Sequence, residues 1–346
     1  MFYIIPDVIY RRSHAGIING FTAKSMTSGV DNEYHPHILV RMKIFRKVIT
    51  VAIVFTIFYF LIASLVKNWQ KIPFDSLRFN IISLLVSFIF LFITFLIFVQ
   101  SWRSIIRALG QSISFKGAFW IMSTSQMAKY VPGGIWFALS RVYLGKTEKL
   151  KGEFIALSVV IETGLTFLVG ILLFFFALGL SNRSIIVNFL FIVPIFFLFL
   201  LALYPPILNK IMNIGLRLMK RPAIELKISY LHLLKLSVFF LGLWVAQIIG
   251  YYFLVDSIMP IPFYRIFSLA AAYTLSWMAG FIVVIAPGGL GVREGMMSIL
   301  LSPILPAPLA IAISFIARIW ITVFEIITFF MGLLVKKMSN RENNNH

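Results

Sequence analysis

Residues 264–294 read YRIFSLAAAYTLSWMAGFIVVIAPGGLGVRE, an apolar run that stops at a Pro-Gly-Gly step and is followed by two fixed charges. The run 264–286 is long enough to cross a bilayer as a helix, for which about 20 mostly apolar residues suffice. Pro287 then removes a backbone donor, and Gly288 and Gly289 weaken a helix further. Backbone groups freed inside hydrocarbon survive only where protein or a water-filled cavity covers them. The stretch KYVPGGIW, Lys129 to Trp136, repeats the feature in the first half of the chain, again beside a charge. Two such breaks predict a polar site within the membrane.

Composition agrees. The 346 residues are 60% hydrophobic and only 12% charged, with a mean hydropathy of +0.95. A soluble domain of this length needs more polar surface. The net charge of +19 lies in short basic runs between apolar spans. Such runs orient membrane helices and attract anionic lipid, so nucleic acid is not the expected partner. Cysteine is absent, which excludes disulfides, thiol nucleophiles and thiolate metal sites. His35-Pro36-His37 has no further ligands nearby and reads as part of a solvated tail. Neither a Walker glycine motif nor a Ser-His-Asp set is present, so no metal, cofactor or catalytic residue is assigned.

The expected fold is all-α: a polytopic integral membrane helix bundle. Apolar spans cover residues 48–66, 81–99, 154–178, 185–203, 231–255, 264–286 and 309–335. Two weaker segments, 117–139 and 295–308, each adjoin a break. Basic clusters precede the first span (Arg41, Lys43, Arg46, Lys47) and fill the 205–230 loop, which places both in the cytoplasm. The clusters Arg103/Arg107/Lys116 and Arg141/Lys146/Lys149 flank segment 117–139 and prefer the same side. That segment is therefore expected to re-enter as a hairpin folding at Pro132-Gly133-Gly134. The total is about seven or eight spans plus one or two re-entrant pieces. Residues 1–41 read as a polar tail, disordered or an over-extended translation start; 42–336 form the membrane domain, and 337–346 a polar C-terminal tail.

Several residues could carry chemistry. Lys129 could reach an anionic headgroup while Gly133 and Gly134 offer amides; it could equally snorkel to the interface. Gly288, Gly289 and Arg293 could form a positive helix terminus that receives a phosphate, with Gly291 near the helix start. Glu294 would then orient Arg293 or take a proton, or simply cap the helix. Glu162, Arg318 and Glu325 fall within spans, where charges are costly unless paired or hydrated. Arg318 is expected to pair with Glu325, seven residues on, or with Glu162. Gln247 reads as interhelical hydrogen-bonding glue. The two breaks also suggest related halves, although the similarity does not extend beyond Pro-Gly-Gly.

Lys129-Tyr130-Val131-Pro132-Gly133-Gly134, the following Arg141, and Pro287-Gly288-Gly289-Leu290-Gly291-Val292-Arg293-Glu294 together resemble one family. It is the lysylphosphatidylglycerol synthase transmembrane-region family, also called flippase-like or UPF0104 proteins. The second motif is the more specific. The resemblance implies a domain that moves lipids or lipid-linked sugars between leaflets of the cytoplasmic membrane, with its N-terminus inside. The soluble aminoacyltransferase domain of longer members is not expected, since few residues follow Val335. The expected cargo is an anionic lipid or lipid-linked saccharide, and envelope glycosyltransferases are expected partners. Lys129 and Arg293 would contact phosphate, and Arg141 would stand at the mouth. A membrane enzyme or enzyme subunit acting on lipid, or a scaffold of an envelope polysaccharide complex, remain the alternatives.

Overall fold

The computed structural model describes residues 59, 78–131, 136–181, 185–218, 228–283 and 286–344, all within the compact unit Arg46–His346. The expected tail 1–41, the span 48–66 apart from Tyr59, and Pro132, Gly133 and Gly134 lie outside the described residues. What is described is all helical. In chain order the helices are α1 (Ile81–Ala108), α2 (Phe115–Gln126), α3 (Trp136–Thr147), α4 (Gly152–Ser181), α5 (Ile185–Ala202), α6 (Pro205–Leu218), α7 (Tyr230–Ile258), α8 (Ile266–Ile282), α9 (Val292–Leu301) and α10 (Ala307–Asn344). Single 3-10 turns at Met127–Tyr130, Phe263–Arg265 and Pro287–Gly289 extend or interrupt them.

Among the described residues, five segments are long and apolar enough to cross a membrane: Ile81–Ala108, Gly152–Ser181, Tyr230–Ile258, Phe263–Ile282 and Ala307–Ser339. Their starts are written in the sequence. Asn80 caps α1 by accepting from the amides of Ile82 (3.0 Å) and Ser83 (3.3 Å). Ser114 accepts from Gly117 (3.0 Å) to open α2, and Ser229 from His232 (3.3 Å) to open α7. Pro308 does not delay α10, because a proline in the first helical turn has no intrahelical bond to lose.

Three boundaries differ from the sequence reading. The span 264–286 stops being helical at Ile282, since Val283 already leaves helical geometry ahead of Pro287. Segment 295–308 begins its helix earlier, at Val292, and has ten helical residues. The basic stretch after Pro205 contains helix α6. In the sequence of that helix Ile207, Ile211, Ile214 and Leu218 recur at helical spacing, interleaved with Asn209, Asn213 and Arg217.

The core joins helices distant in sequence. α1 and α7 run antiparallel and are tied at one end, where Arg78 and Asn80 amides donate to the carbonyls of Ile258 (3.0 Å) and Ser257 (2.8 Å). Ser83 Oγ donates to Asp256 there (2.7 Å). A Cβ on Gly250 would stand 3.2 Å from the Ser87 carbonyl, so glycine permits this close approach. Trp320 of α10 reaches the same place and donates from Nε1 to Ser87 Oγ at 3.0 Å. α4 packs on α8, α2 on both α3 and α10, and α9 lies between α8 and α10. The paired short helices α2 and α3 and the break before α9 thereby meet inside the bundle.

Candidate functional site

The second break satisfies its own backbone by tightening. The amides of Ala286 and Gly289 donate to the carbonyls three residues back, Val283 (3.1 Å) and Ala286 (2.9 Å). Gly288, Gly289 and Gly291 all have positive φ (58°, 72° and 81°), which L side chains rarely adopt. A Cβ on Gly289 would also stand 2.7 Å from the Gly280 carbonyl. Proline and glycine here therefore build a specific turn.

That turn faces Lys129 and Tyr130, which precede the first break in the chain. A Cβ on Gly288 would lie 3.7 Å from both the Lys129 carbonyl and the Tyr130 ring, and 3.0 Å from Arg318 Nη2. Lys129 Nζ pairs with Glu325 Oε1, and the Tyr130 hydroxyl donates to Glu325 Oε2 at 2.8 Å. The Tyr130 ring also lies 5.5 Å from the Arg318 guanidinium. Residues from KYVPGG and PGGLGVRE are thus in one place.

The pairing differs from expectation. Arg318 is not with Glu325 or Glu162; its Nε stands 3.6 Å from Glu294 Oε1. Positions seven apart share a helix face but are separated by about 10 Å along the axis, too far for direct contact. Arg318 and Glu325 instead each take a partner from a segment beside a break. Glu294 also caps a helix. Its Oε2 accepts from the Gly291 amide at 2.6 Å, the N3 carboxylate half of a capping box at the start of α9. The helix terminus expected to receive a phosphate thus already has a carboxylate on its Gly291 amide.

Arg141 is corrected as well. It is 0% exposed, donates to Glu162 Oε2 at 2.6 Å, and lies 5.7 to 6.0 Å from the rings of Phe98, Trp102 and Phe137. A buried, aromatic-walled ion pair is no mouth. Burial follows from α3 packing on α4, which carries Glu162.

A cavity of about 280 Å³ opens between these elements. Lys129, Glu162, Gly288, Gly289, Arg293 and Glu325 are among its lining residues; Arg141, Glu294 and Arg318 are not. A second void of about 20 Å³ behind it is bounded by Glu294, Arg318, Ser276 and Ser314, and Arg293 borders both. Arg293 differs from the other interior cations. Lys129, Arg141 and Arg318 each have a carboxylate within 4.0 Å, whereas among the described residues Arg293 has none. Its guanidinium lies 5.4 Å from the Trp277 ring, and its Nε has no hydrogen-bond partner. Gly280 makes room for it, since any side chain there would overlap the Arg293 stem. Sequence reasoning missed the roles of Gly280, Trp277 and Tyr130. A glycine one helical turn before the end of an apolar span was the available signal.

The geometry defines a multi-pass helical membrane protein with a charged internal cavity at two interrupted helices. The chain belongs to the lysylphosphatidylglycerol synthase TM region family, which matches its residues 46–328. No curated protein matches the chain.

Proposed function

We propose that the protein translocates an anionic lipid, or a lipid-linked saccharide, across the cytoplasmic membrane. The phosphate-bearing headgroup enters the cavity while the lipid tails stay in the bilayer. One observation carries this reading: Arg293 is a cation without a carboxylate partner among the described residues, in a cavity whose other lining charges are paired. Intramembrane charge without a counter-ion is costly, and a visiting anion removes that cost. Lys129, with Glu325 as its resident counter-ion, assists from the same cavity lining.

In this reading 42–336 is the translocating domain, with the N-terminus inside. Helices α2 and α3, of twelve residues each, and α9, of ten, are about 15 to 18 Å long, against about 30 Å of hydrocarbon. Here α2 and α3 enter and leave by one face, and α9 is a short crossing or part of a split span. Envelope glycosyltransferases that make or use the lipid are the fitting partners.

The test is reconstitution in liposomes with a fluorescent anionic lipid and a membrane-impermeant quencher. Protein-dependent exposure of inner-leaflet probe supports translocation; no gain over empty liposomes contradicts it. Lipid extracts of cells with and without the gene separate transport from synthesis, because only an enzyme role removes a lipid species.

A further inference from the structure

The cavity holds polar groups that the phosphate reading does not use, a side-chain amide among them. Gln247, in the middle of α7, lines it, and its Nε2 is buried without a hydrogen-bond partner. The interhelical neighbour expected of this residue is the Tyr273 hydroxyl of α8, and Nε2 stands short of full hydrogen-bonding geometry to it. An amide donor left unmet in a membrane interior is costly unless a ligand oxygen meets it. Thr163 and Thr166 line the same cavity, and the Thr166 hydroxyl, donating to the Glu162 carbonyl at 2.7 Å, still has acceptor capacity. The lining also carries aromatic rings. Trp277 stacks on Phe281 with centroids 5.5 Å apart, and Trp244 meets Trp277 edge-on at 5.4 Å. Trp244 is itself held by donating from Nε1 to the Thr166 carbonyl at 3.1 Å.

We infer that the cavity recognises a headgroup in which the phosphate carries a single polyhydroxylated ring, a sugar or a cyclitol. This rests on the translocation reading and narrows its cargo. Such a ring offers hydroxyl oxygens to Gln247 and apolar C–H edges to these aromatic side chains, while its phosphate lies on Arg293. A volume of about 280 Å³ has room for one phosphate and one ring.

Two soluble short-chain probes separate the parts: dihexanoyl phosphatidylinositol, whose headgroup has the ring, and dihexanoyl phosphatidylmethanol, a phosphodiester of the same charge without it. Binding to the purified full chain is measured by tryptophan fluorescence. The inositol lipid is expected to bind about tenfold more tightly, a difference of about 1.4 kcal/mol. Gln247→Leu should cut that preference to about threefold or less, by loss of one hydrogen bond, and leave phosphatidylmethanol binding unchanged. If Gln247→Leu does not fold, Gln247→Met serves, with the unfolding midpoint as control. Equal affinity for the two lipids in the parent, or a preference that survives substitution, overturns the inference. Binding of both probes that is indifferent to Arg293→Gln would instead contradict the translocation site itself.

Discussion

Lys129 and Glu325, separated by 196 positions in the chain, form an ion pair inside the bundle, and Tyr130 hydrogen-bonds to the other oxygen of the same carboxylate. This contact docks the turn after α2 onto the last helix and sets Lys129 beside Gly288 of the second break. The two interrupted segments are thus parts of one site.

Removing one member of the Arg141–Glu162 pair strands a buried charge. Arg141→Met is expected to destabilise the protein by about 3 to 5 kcal/mol, and Arg141→Met combined with Glu162→Leu should recover most of that loss. Thermal unfolding in detergent reads both. Similar midpoints for the single and double variants would show that the two side chains do not act as a pair.

Glycine at 289 is required by the backbone, and at 280 by a neighbour. Gly289→Ala is expected to cost about 1 to 2 kcal/mol from left-handed geometry alone, with a further loss from contact with the Gly280 carbonyl. Gly280→Ala should displace the Arg293 side chain and lower translocation more than it lowers the unfolding midpoint. Unaltered translocation by Gly280→Ala would mean that Arg293 need not be where it is.

Glu294 both caps α9 and faces Arg318. Glu294→Gln keeps an acceptor for the Gly291 amide, so it should fold better than Glu294→Ala. The alanine variant loses a cap, worth about 0.5 to 2 kcal/mol, together with the Arg318 partner. Unfolding midpoints in the order parent, Gln, Ala are the expected result.

Because the chain has no cysteine, single cysteines report access without background. Gln126→Cys and Thr163→Cys, on the cavity wall, should react with a water-soluble thiol reagent and be protected by anionic lipid. Ile121→Cys, in the core, should stay unreactive with or without lipid. Equal reactivity at all three would argue against a water-filled cavity.

The long spans were legible because twenty apolar residues have few alternatives in a chain this hydrophobic. The glycines of PGGLGVRE were legible for a related reason: their backbone geometry is local. Pairing was not. Arg318 and Glu325 lie on one helix face, but their partners come from segments folded back against it, and nothing in their spacing tells which. Arg141 shows the same limit, since a basic residue after a break looks like a surface charge until Glu162 of the next helix covers it. The helix after Pro205 was hidden by its charges, although its apolar positions carry helical spacing.

The central claim is that Arg293 receives the cargo anion. The most direct measurement is the rate of anionic-lipid translocation in proteoliposomes for the parent, Arg293→Lys and Arg293→Gln, each matched for folded protein. Loss of one charge-assisted contact of about 1.5 to 3 kcal/mol predicts a fall of at least tenfold for Arg293→Gln, with partial retention for Arg293→Lys. An Arg293→Gln protein that folds and moves lipid at the parental rate would contradict it.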